Sequence, residues 1–248
     1  MLQVTGAAKL YNGRPVFSEF DLMVAPGQFK VLLGPSGCGK STLFDGLTGV
    51  TELNCGKIFW NNEKLSHLGS HAAYMQQKDL LLPWFSLLDN ALLPAKTGNQ
   101  EMEKMRPMAE KLFVRLGLKG YKTHMPNEVS GGMRQRCALV RTLMFNRNLI
   151  LLDEPLSALD AITRQSLQSL LLLLQTEFNK TILMITHDIE EALLLADEVC
   201  LLSPKPMVVE EKFILNQPKP RQFSDPGLLE IKAYILAQLK GDLNSEAC

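Results

Sequence analysis

The architecture of this chain follows from KVLLGPSGCGKST at residues 30–42, where an apolar run leads into a glycine-rich turn. The run KVLL predicts a buried strand, and STLFDGL after the turn predicts a helix. The turn matches GxxxxGK followed by Ser or Thr, a pattern whose small residues let backbone N–H groups surround a phosphate chain at the start of a helix. A glycine-rich turn without a ligand is the alternative, but the flanking strand and helix favour a phosphate-binding loop.

This phosphate-binding loop is predicted to supply most of a nucleotide site. Lys40 can reach the β and γ phosphates, and the Ser41 hydroxyl can hold Mg²⁺. The predicted nucleotide-binding residues of the loop are Gly34, Pro35, Ser36, Gly37, Cys38, Gly39, Lys40, Ser41 and Thr42.

A second apolar run, LILL at residues 149–152, ends in Asp153 and Glu154. Ionised carboxylates at the carboxyl end of a strand are costly unless they meet a cation or solvent. Asp153 therefore suits a Mg²⁺ ligand, and Glu154 suits a general base that orients and deprotonates an attacking water. Such a pair alone is usually a solvated turn, so this prediction depends on the phosphate-binding loop upstream.

Further apolar runs extend the strand pattern along the chain. TILMIT at residues 181–186 and VCLL at residues 199–202 are separated by helix-length segments. Such alternation is typical of parallel strands joined by crossover helices, so the sequence predicts an α/β core.

Between residues 78 and 148 the strand-like runs disappear. Apolar residues recur there at helical spacing, and we expect Pro107 to open a helix and Gly117 to end it. The apolar stripe of this helix comprises Met108, Ala109, Leu112, Phe113 and Leu116. After residue 203, several prolines precede a final helix, which we expect to pack on its own domain rather than bind a regulator. Its apolar face comprises Leu228, Ile231, Ile235 and Leu239.

Together these patterns predict one domain over residues 1–248. Its parts are an α/β core at residues 1–77 and 149–202, an inserted helical subdomain at residues 78–148 and a short C-terminal extension at residues 203–248.

Composition excludes several classes of protein. Lys and Arg total 26 and Asp and Glu total 26, which argues against a basic surface that grips nucleic acid or anionic lipid. No apolar run approaches the roughly 20 residues needed to cross a bilayer. The 5 cysteines include no CxxC pair, so reduced thiols are expected rather than disulfides or a zinc site. The N-terminus lacks the pattern of a secretory signal, and we expect a soluble chain in the cytoplasm.

A second candidate anion site lies in VSGGM at residues 129–133, ahead of the predicted helix RQRCALVRTLMF. Ser130 can cap this helix, and the glycines expose N–H groups at its start. An ordinary capped helix would explain these five residues by themselves. However, one nucleotide carries one triphosphate, so two such helix ends favour an arrangement in which each chain lends its second site to a neighbour's nucleotide.

Four motifs in this order, GPSGCGKST, VSGGMRQR, LILLDEPLSALD and ITHDIEEALLLAD, resemble those of the ATP-binding subunits of ABC transporters. The resemblance extends over nearly the whole chain, from about residue 7 to residue 202. It implies a P-loop NTPase core with a mostly parallel sheet, antiparallel strands near the N-terminus and an inserted α-helical subdomain. It also implies ATP and Mg²⁺ as cofactors, ATP hydrolysis coupled to transport, and a head-to-tail homodimer.

The resemblance assigns roles to residues outside the phosphate-binding loop. It places Asp160 at the dimer seam, and it makes His187 the switch histidine that reaches the γ-phosphate. The residues implied to contact the γ-phosphate across the dimer are Ser130, Gly131 and Gly132.

Tyr11 stands where this family places an aromatic residue that stacks on adenine, and its flat ring suits that role, although an isolated Tyr is usually packing. The family glutamine that senses Mg²⁺ and the attacking water is Gln77 or its neighbour Gln76. Counting back from Pro83 selects Gln77.

The signature departs from the family's usual LSGGQ at Val129 and Met133. Met133 cannot form the hydrogen bonds of Gln, which leaves open any ribose contact there. The Met form resembles the importer branch for nitrate, sulfonates, taurine and thiamine-type pyrimidine precursors. The segment YMQQKDLLLPWFSLLDNALLP at residues 74–94 most resembles the pyrimidine-precursor members, so we expect a hydroxymethylpyrimidine importer, with taurine, sulfonate or nitrate uptake as alternatives.

The resemblance also implies partners. The ATPase homodimer would lie on the cytoplasmic face of the membrane beneath two permease subunits, served indirectly by an extracytoplasmic solute-binding protein. Spacing alone favours a core position for the apolar residues after Gln77, whereas the family places a permease groove there. The expected contact residues are Leu81, Leu82, Trp84 and Phe85. A non-transport ABC ATPase would need paired ATPase domains or long coiled coils, and an unrelated P-loop kinase or GTPase would leave VSGG to chance.

Overall fold

The structure is a computed structural model that describes residues 1–98, 100–157, 159–204 and 206–245. Residues 246–248, the end of the predicted single domain, lie outside the described residues. The strands are β1 (Leu2–Tyr11), β2 (Arg14–Val24), β3 (Phe29–Leu33), β4 (Cys55–Trp60), β5 (Glu63–Leu65), β6 (Ala72–Met75), β7 (Leu149–Asp153), β8 (Thr181–Thr186), β9 (Glu198–Leu202) and β10 (Val209–Ile214).

The helices occupy the intervals expected of a crossover fold. They are α1 (Lys40–Thr48), α2 (Leu87–Ala91), α3 (Leu93–Thr97), α4 (Met102–Arg115), α5 (Gly131–Leu143), α6 (Ala161–Thr176), α7 (Ile189–Leu195) and α8 (Pro226–Ser245). Short 3₁₀ turns at Lys119–Tyr121 and Pro126–Glu128 connect α4 to α5.

The larger sheet has the strand order β10-β9-β3-β8-β7-β6 and is parallel except for β10. Every residue of β3, β7 and β8 is buried, as in a parallel sheet that is covered on both faces. Leu33 pairs with Thr186 and Asp153 pairs with Ile185, so the three strands end at the same edge. The loop after β3 and the residues after β7 and β8 therefore meet there, where open α/β sheets bind ligands.

The smaller sheet is antiparallel, with the order β2-β1-β4-β5. Its inner face packs with α1 and one face of the larger sheet in a core that includes Leu2, Phe17, Phe44 and Leu151. The predicted fold class is confirmed: an α/β core with antiparallel strands near the N-terminus and helices inserted between β6 and β7.

Helix α4 begins at Met102 and contains Pro107, so the prediction that Pro107 opens this helix is wrong. Pro107 and Glu103 are exposed, and water can bond the Glu103 carbonyl that loses its usual N–H donor to the proline. The helix buries Ala109 and Phe113. Gly117, at φ +67°, follows its end as predicted.

Helix α8 packs against the domain, which confirms the predicted packing of the final helix. Leu228 and Ile235 are buried, and Ile231 and Leu239 pack against the same core. Two polar contacts add to this packing: Lys232 Nζ lies 2.6 Å from Glu190 Oε1 on α7, and Arg221 donates to the carbonyl oxygens of Leu193 and Ala196 at the end of α7.

The structure bears on two features considered in the sequence, membrane-spanning segments and cysteines. No helix in the described ranges is long and apolar enough to cross a membrane. Cys38, Cys137 and Cys200 are buried free thiols and Cys55 is an exposed one, whereas Cys248 lies outside the described residues.

Substitutions at two neighbouring residues of α4 should differ sharply in their effect on stability, because one residue is buried and the other is exposed. Phe113→Ala should lower the free energy of unfolding by roughly 3–5 kcal/mol, because it leaves a cavity in the core. Val114 is 53% exposed, and Val114→Ala should change it by less than about 0.5 kcal/mol. Urea denaturation of both variants measures the difference, and equal effects would show that α4 does not bury this face.

Candidate active site

The loop after β3 is built to approach a ligand with its backbone. Gly37 has φ +81° and Gly39 has φ +125°, conformations that favour glycine. A Cβ atom on Gly39 would lie 2.5 Å from Val16 Cγ1 on β2, so the loop contacts the smaller sheet at this point. Helix α1 begins directly afterwards at Lys40, which aims its N-terminal N–H groups at the loop.

A cavity of about 280 Å³ lies over this loop. Its walls bring residues of the phosphate-binding loop together with Gln77, which follows β6, and Glu154, which follows β7. The lining residues are Ser36, Gly37, Gly39, Lys40, Ser41, Thr42, Gln77 and Glu154. Gln76 is not among the described residues that line this cavity.

Lys40 supplies the positive charge at the base of the cavity. Its side chain is buried, and Nζ donates to the carbonyl oxygens of Gly34 at 2.8 Å and Pro35 at 2.7 Å. The ammonium is therefore held inside the curve of the loop. Together with the N-terminus of α1, it makes this cavity attractive to an anion such as a phosphate chain.

Asp153 is buried, and burial raises its pKa to about 6. A hydrogen bond with the Ser41 side chain opposes that rise, whereas the nearby charges of Glu154 and Asp45 add to it. Its Oδ1 atom is buried and has no hydrogen-bond partner in the described part of the chain. A carboxylate with an unsatisfied oxygen beside a serine hydroxyl offers the hard oxygen donors that Mg²⁺ prefers.

A protein-only metal cage is not present: the described residues contain no cluster of three His, Cys, Asp or Glu side chains that could hold a metal ion. Mg²⁺ typically uses one or two protein ligands together with substrate phosphates and water. Ser41 and Asp153 fit that pattern at the edge of the phosphate cavity.

Glu154 is held in an unusual backbone conformation, with φ +49°. Its N–H donates to the Ile185 carbonyl at 3.0 Å, and its own carbonyl accepts from Gln135 Nε2 at 3.0 Å and from Ser157 Oγ at 3.0 Å. Surrounding bonds of this kind allow a strained residue to persist at a functional site.

The Glu154 carboxylate meets side chains from the two neighbouring strand ends. Gln77 Nε2 donates to Oε2 at 3.3 Å, and His187 Nδ1 lies 3.0 Å from Oε1. Three strand ends thus place a carboxylate, an amide and an imidazole at one side of the phosphate cavity. This arrangement can orient a water molecule and accept its proton beside a bound phosphate.

The second predicted anion site lies elsewhere on the same chain. Ser130 caps α5 by accepting a 3.3 Å hydrogen bond from the Met133 N–H, and Asp160 caps α6 by accepting a 3.0 Å hydrogen bond from the Thr163 N–H. That bond to Thr163 lowers the pKa of Asp160. Of the described residues, neither Ser130, Gly131, Gly132 nor Asp160 lines the phosphate cavity of its own chain.

Tyr11 ends β1 and is half exposed, with Lys9 Nζ 5.1 Å from the centre of its ring. The hairpin partner β2 contacts the phosphate-binding loop through Val16. Tyr11 is therefore on the same sheet as that contact.

The four predicted permease-contact residues divide into two groups. Leu81 is 8% exposed and packs in the core, so the core alternative holds for it. Trp84 is 67% exposed, and Leu82 and Phe85 are half-buried. A cleft of about 430 Å³ lies beside this segment and is lined by Gln77, Lys78, Asp79, Leu80, Gly131, Gln135 and Ser157.

Sequence reasoning missed the residues that support Glu154 and His187. Gln135 is a buried polar residue among the apolar residues of α5, and Glu191 is a buried carboxyl on α7. A polar residue at an apolar helical position was the available signal for Gln135. Its hydrogen-bond partner, the Glu154 carbonyl just after β7, is distant in the chain and is not visible in the local sequence pattern.

The family model described as "ABC transporter" matches residues 17–157. The chain is 39% identical over 247 residues to the taurine import ATP-binding protein TauB of Yersinia pseudotuberculosis serotype I (strain IP32953), covering 96% of this chain and 97% of the relative. It is 36% identical over 249 residues to TauB of Escherichia coli O157:H7, with coverage of 96% and 97%.

Solved structures agree with these relatives. The chain superposes with a TM-score of 0.80 and 28% identity on a dimeric post-hydrolysis state of the ATP-binding cassette MJ0796 bound to ADP and Pi, covering 88% of this chain and 100% of that one. A second dimeric structure of MJ0796, a bacterial ABC transporter cassette, gives a TM-score of 0.80 at 27% identity with the same coverage.

Because the pKa of Asp153 is raised, the free energy of unfolding should depend on pH through this residue. Protonated Asp153 stabilises the fold below its ordinary pKa of 3.8, and that contribution is lost as the pH rises through about 6. Asp153→Asn, which stays neutral, should therefore raise the free energy of unfolding at pH 7 by about 3 kcal/mol and leave it nearly unchanged at pH 4. Urea denaturation without nucleotide at both pH values measures this. A loss of stability at pH 7 would contradict the assigned cause.

Proposed function

The chain belongs to the ABC transporter family, and from that membership we propose that two copies of it power a solute importer by clasping ATP between them. ATP binding and ATP hydrolysis coupled to transport are the activity of the chain. The single observation that carries the catalytic assignment is the meeting of Gln77 and His187 at Glu154 beside the phosphate cavity.

The chemistry follows from the residues around that cavity. Backbone N–H groups of the loop, the N-terminus of α1 and Lys40 Nζ hold the phosphates. Glu154 orients a water molecule opposite the terminal phosphate and accepts its proton. Gln77 and His187 keep the carboxylate in place. Ser41 and Asp153 would hold Mg²⁺, with Gln77 near it, and the cation would neutralise phosphate charge.

A partner chain would complete each site. Ser130, Gly131 and Gly132 form an exposed helix end away from the cavity of their own chain, and such an end can bind a γ-phosphate supplied by a neighbour. The two similar solved structures are dimeric, which supports this arrangement. Asp160 would then lie at the seam between chains, and Tyr11 would stack on adenine.

The proposed solute is taurine or a related sulfonate. The comparisons do not support the expectation of a hydroxymethylpyrimidine importer. The taurine alternative matches the names of relatives that align along almost the whole chain. The solute would not touch this chain, because it would be bound by the permease and by an extracytoplasmic binding protein.

The proposed permease contact consists of the exposed Trp84, the half-buried Leu82 and Phe85, and the cleft lined by Leu80 and Gly131. The Trp84 ring lies 6.5 Å from the Phe85 ring in an edge-to-face arrangement, so the two form one aromatic surface. Exposed aromatic side chains next to a cleft are typical of sites that receive a partner's helix. Docking there would keep the chain at the cytoplasmic face of the membrane as a peripheral subunit.

Binding and chemistry should separate in two variants. Glu154→Gln should keep ATP binding, lower steady-state hydrolysis by at least about 100-fold and trap an ATP-bound dimer, because the amide cannot accept the proton from water. Lys40→Ala should weaken ATP binding itself. Nucleotide binding, phosphate release and size-exclusion chromatography with ATP measure the three properties.

Neighbouring glutamines supply the matched control for this site. Gln77→Ala should slow hydrolysis by about tenfold or more, while Gln76→Ala, which does not line the cavity, should stay within about twofold of the unaltered protein. Hydrolysis near the normal rate in Glu154→Gln would refute the assignment of the base.

Partner docking and solute identity can be tested together in the complex with permease and binding protein. Trp84→Ala should leave ATP hydrolysis and the melting temperature of the isolated subunit nearly intact, while it lowers recovery of the complex and taurine uptake by about tenfold or more, as a hot-spot residue would. Phe178 is 59% exposed on another part of the surface, and Phe178→Ala is the control. A large fall in melting temperature for Trp84→Ala would show that it is core, and uptake of hydroxymethylpyrimidine without taurine would refute the solute.

A further inference from the structure

The turn that carries His187 is fixed by a buried hydroxyl and a buried carboxylate. Thr186 Oγ1 donates to Glu191 Oε2 at 2.8 Å and accepts from the Asp188 N–H at 3.0 Å. Thr186 is 2% exposed and Glu191 is 4% exposed. The residues on both sides of His187 therefore depend on the position of the Glu191 carboxylate.

The other oxygen of that carboxylate faces a residue of α6. Glu191 Oε1 lies 3.9 Å from Arg164 Nε, which is buried and has no hydrogen-bond partner in the described part of the chain. Arg164 Nη2 donates to the Leu159 carbonyl at 3.2 Å, and the backbone N–H of Arg164 donates to the Asp160 carbonyl at 2.9 Å in the first turn of α6. The guanidinium thus faces Glu191 on one side and bonds to Leu159, the residue before Asp160, on the other.

The charges of this pair depend on each other. Burial raises the pKa of Glu191 to about 7, the Thr186 hydrogen bond and the charges of Arg164 and His187 oppose that rise, and Asp188 adds to it. If the guanidinium were removed, Glu191 would lose one of the groups that keep it ionised. If the carboxylate were removed, Arg164 would lose the ion pair that draws it toward α7.

We infer that Glu191 and Arg164 are a positioning pair that couples Asp160, at the seam between chains, to His187 at Glu154. This inference rests on the proposed function, because Asp160 meets a partner only in the ATP-bound dimer. When the partner chain docks near Asp160, the position of Arg164 is fixed, and Arg164 in turn fixes the Glu191 carboxylate. Glu191 then holds Thr186, which keeps His187 against the Glu154 carboxylate. Neither Glu191 nor Arg164 touches ATP, so the pair sets kcat and leaves ATP affinity alone.

A double-mutant cycle on the full chain tests the pair. Glu191→Gln keeps an oxygen that accepts from Thr186 but removes the charge, and Arg164→Gln removes the cation from a side chain that is 38% exposed and tolerates the change. Each variant should lower kcat by about tenfold with KM for ATP within about twofold, and the double variant should be no slower than about twofold below either single variant, because the two residues act as a unit.

Glu190→Gln is the matched control, since Glu190 precedes Glu191 on α7, is exposed and pairs with Lys232; its kcat should stay unchanged. Effects that multiply to about 100-fold in the double variant, or a kcat unchanged in both single variants of an active ATPase, would overturn the pair alone. In the Glu154→Gln background each variant should still form the ATP-trapped dimer. Absence of that dimer in Glu154→Gln itself would instead overturn the proposed function together with the inference.

Discussion

The geometry of the candidate site depends on one backbone hydrogen bond, the 3.0 Å bond from the Glu154 N–H to the Ile185 carbonyl. It continues the pairing of β7 with β8 beyond Asp153 and holds Glu154 at a positive φ that regular strand geometry does not supply. Because His187 directly follows β8, the carboxylate meets the imidazole only while these two strands keep their register. The meeting of Glu154 and His187 is therefore set by the register of the parallel sheet.

Sequence predicted the elements whose signals are local. The phosphate-binding loop and the Asp153 and Glu154 pair could be found because strand, turn and charge adjoin one another in the chain. Pro107 was misplaced because a preference for the start of a helix gave way to the burial that α4 gains from earlier residues such as Met102. Leu81 and Trp84 have the same apolar character, so their spacing could not show that one is buried and the other exposed.

Buried acids give the site a stability cost that composition conceals. The chain has a formal net charge of +0, yet Asp153 and Glu191 both lie out of water with pKa values raised by burial. Asp153 faces the Ser41 hydroxyl, and Glu191 faces the Thr186 hydroxyl beside His187. Burying such acids costs folding stability, and the sequence cannot locate them because burial arises only from tertiary packing.

The packing of α8 against α7 determines how the C-terminal region can be truncated or tagged in experiments. Lys232 and Arg221 tie the C-terminal region to the helix that begins just beyond His187. Deleting α8 would strip apolar cover from the core and leave α7 less restrained, so loss of activity in a truncated chain would not identify a regulatory tail. An affinity tag or fluorescent protein joined beyond α8 should likewise be separated from it by a flexible linker, because α8 contacts α7, which begins two residues after His187.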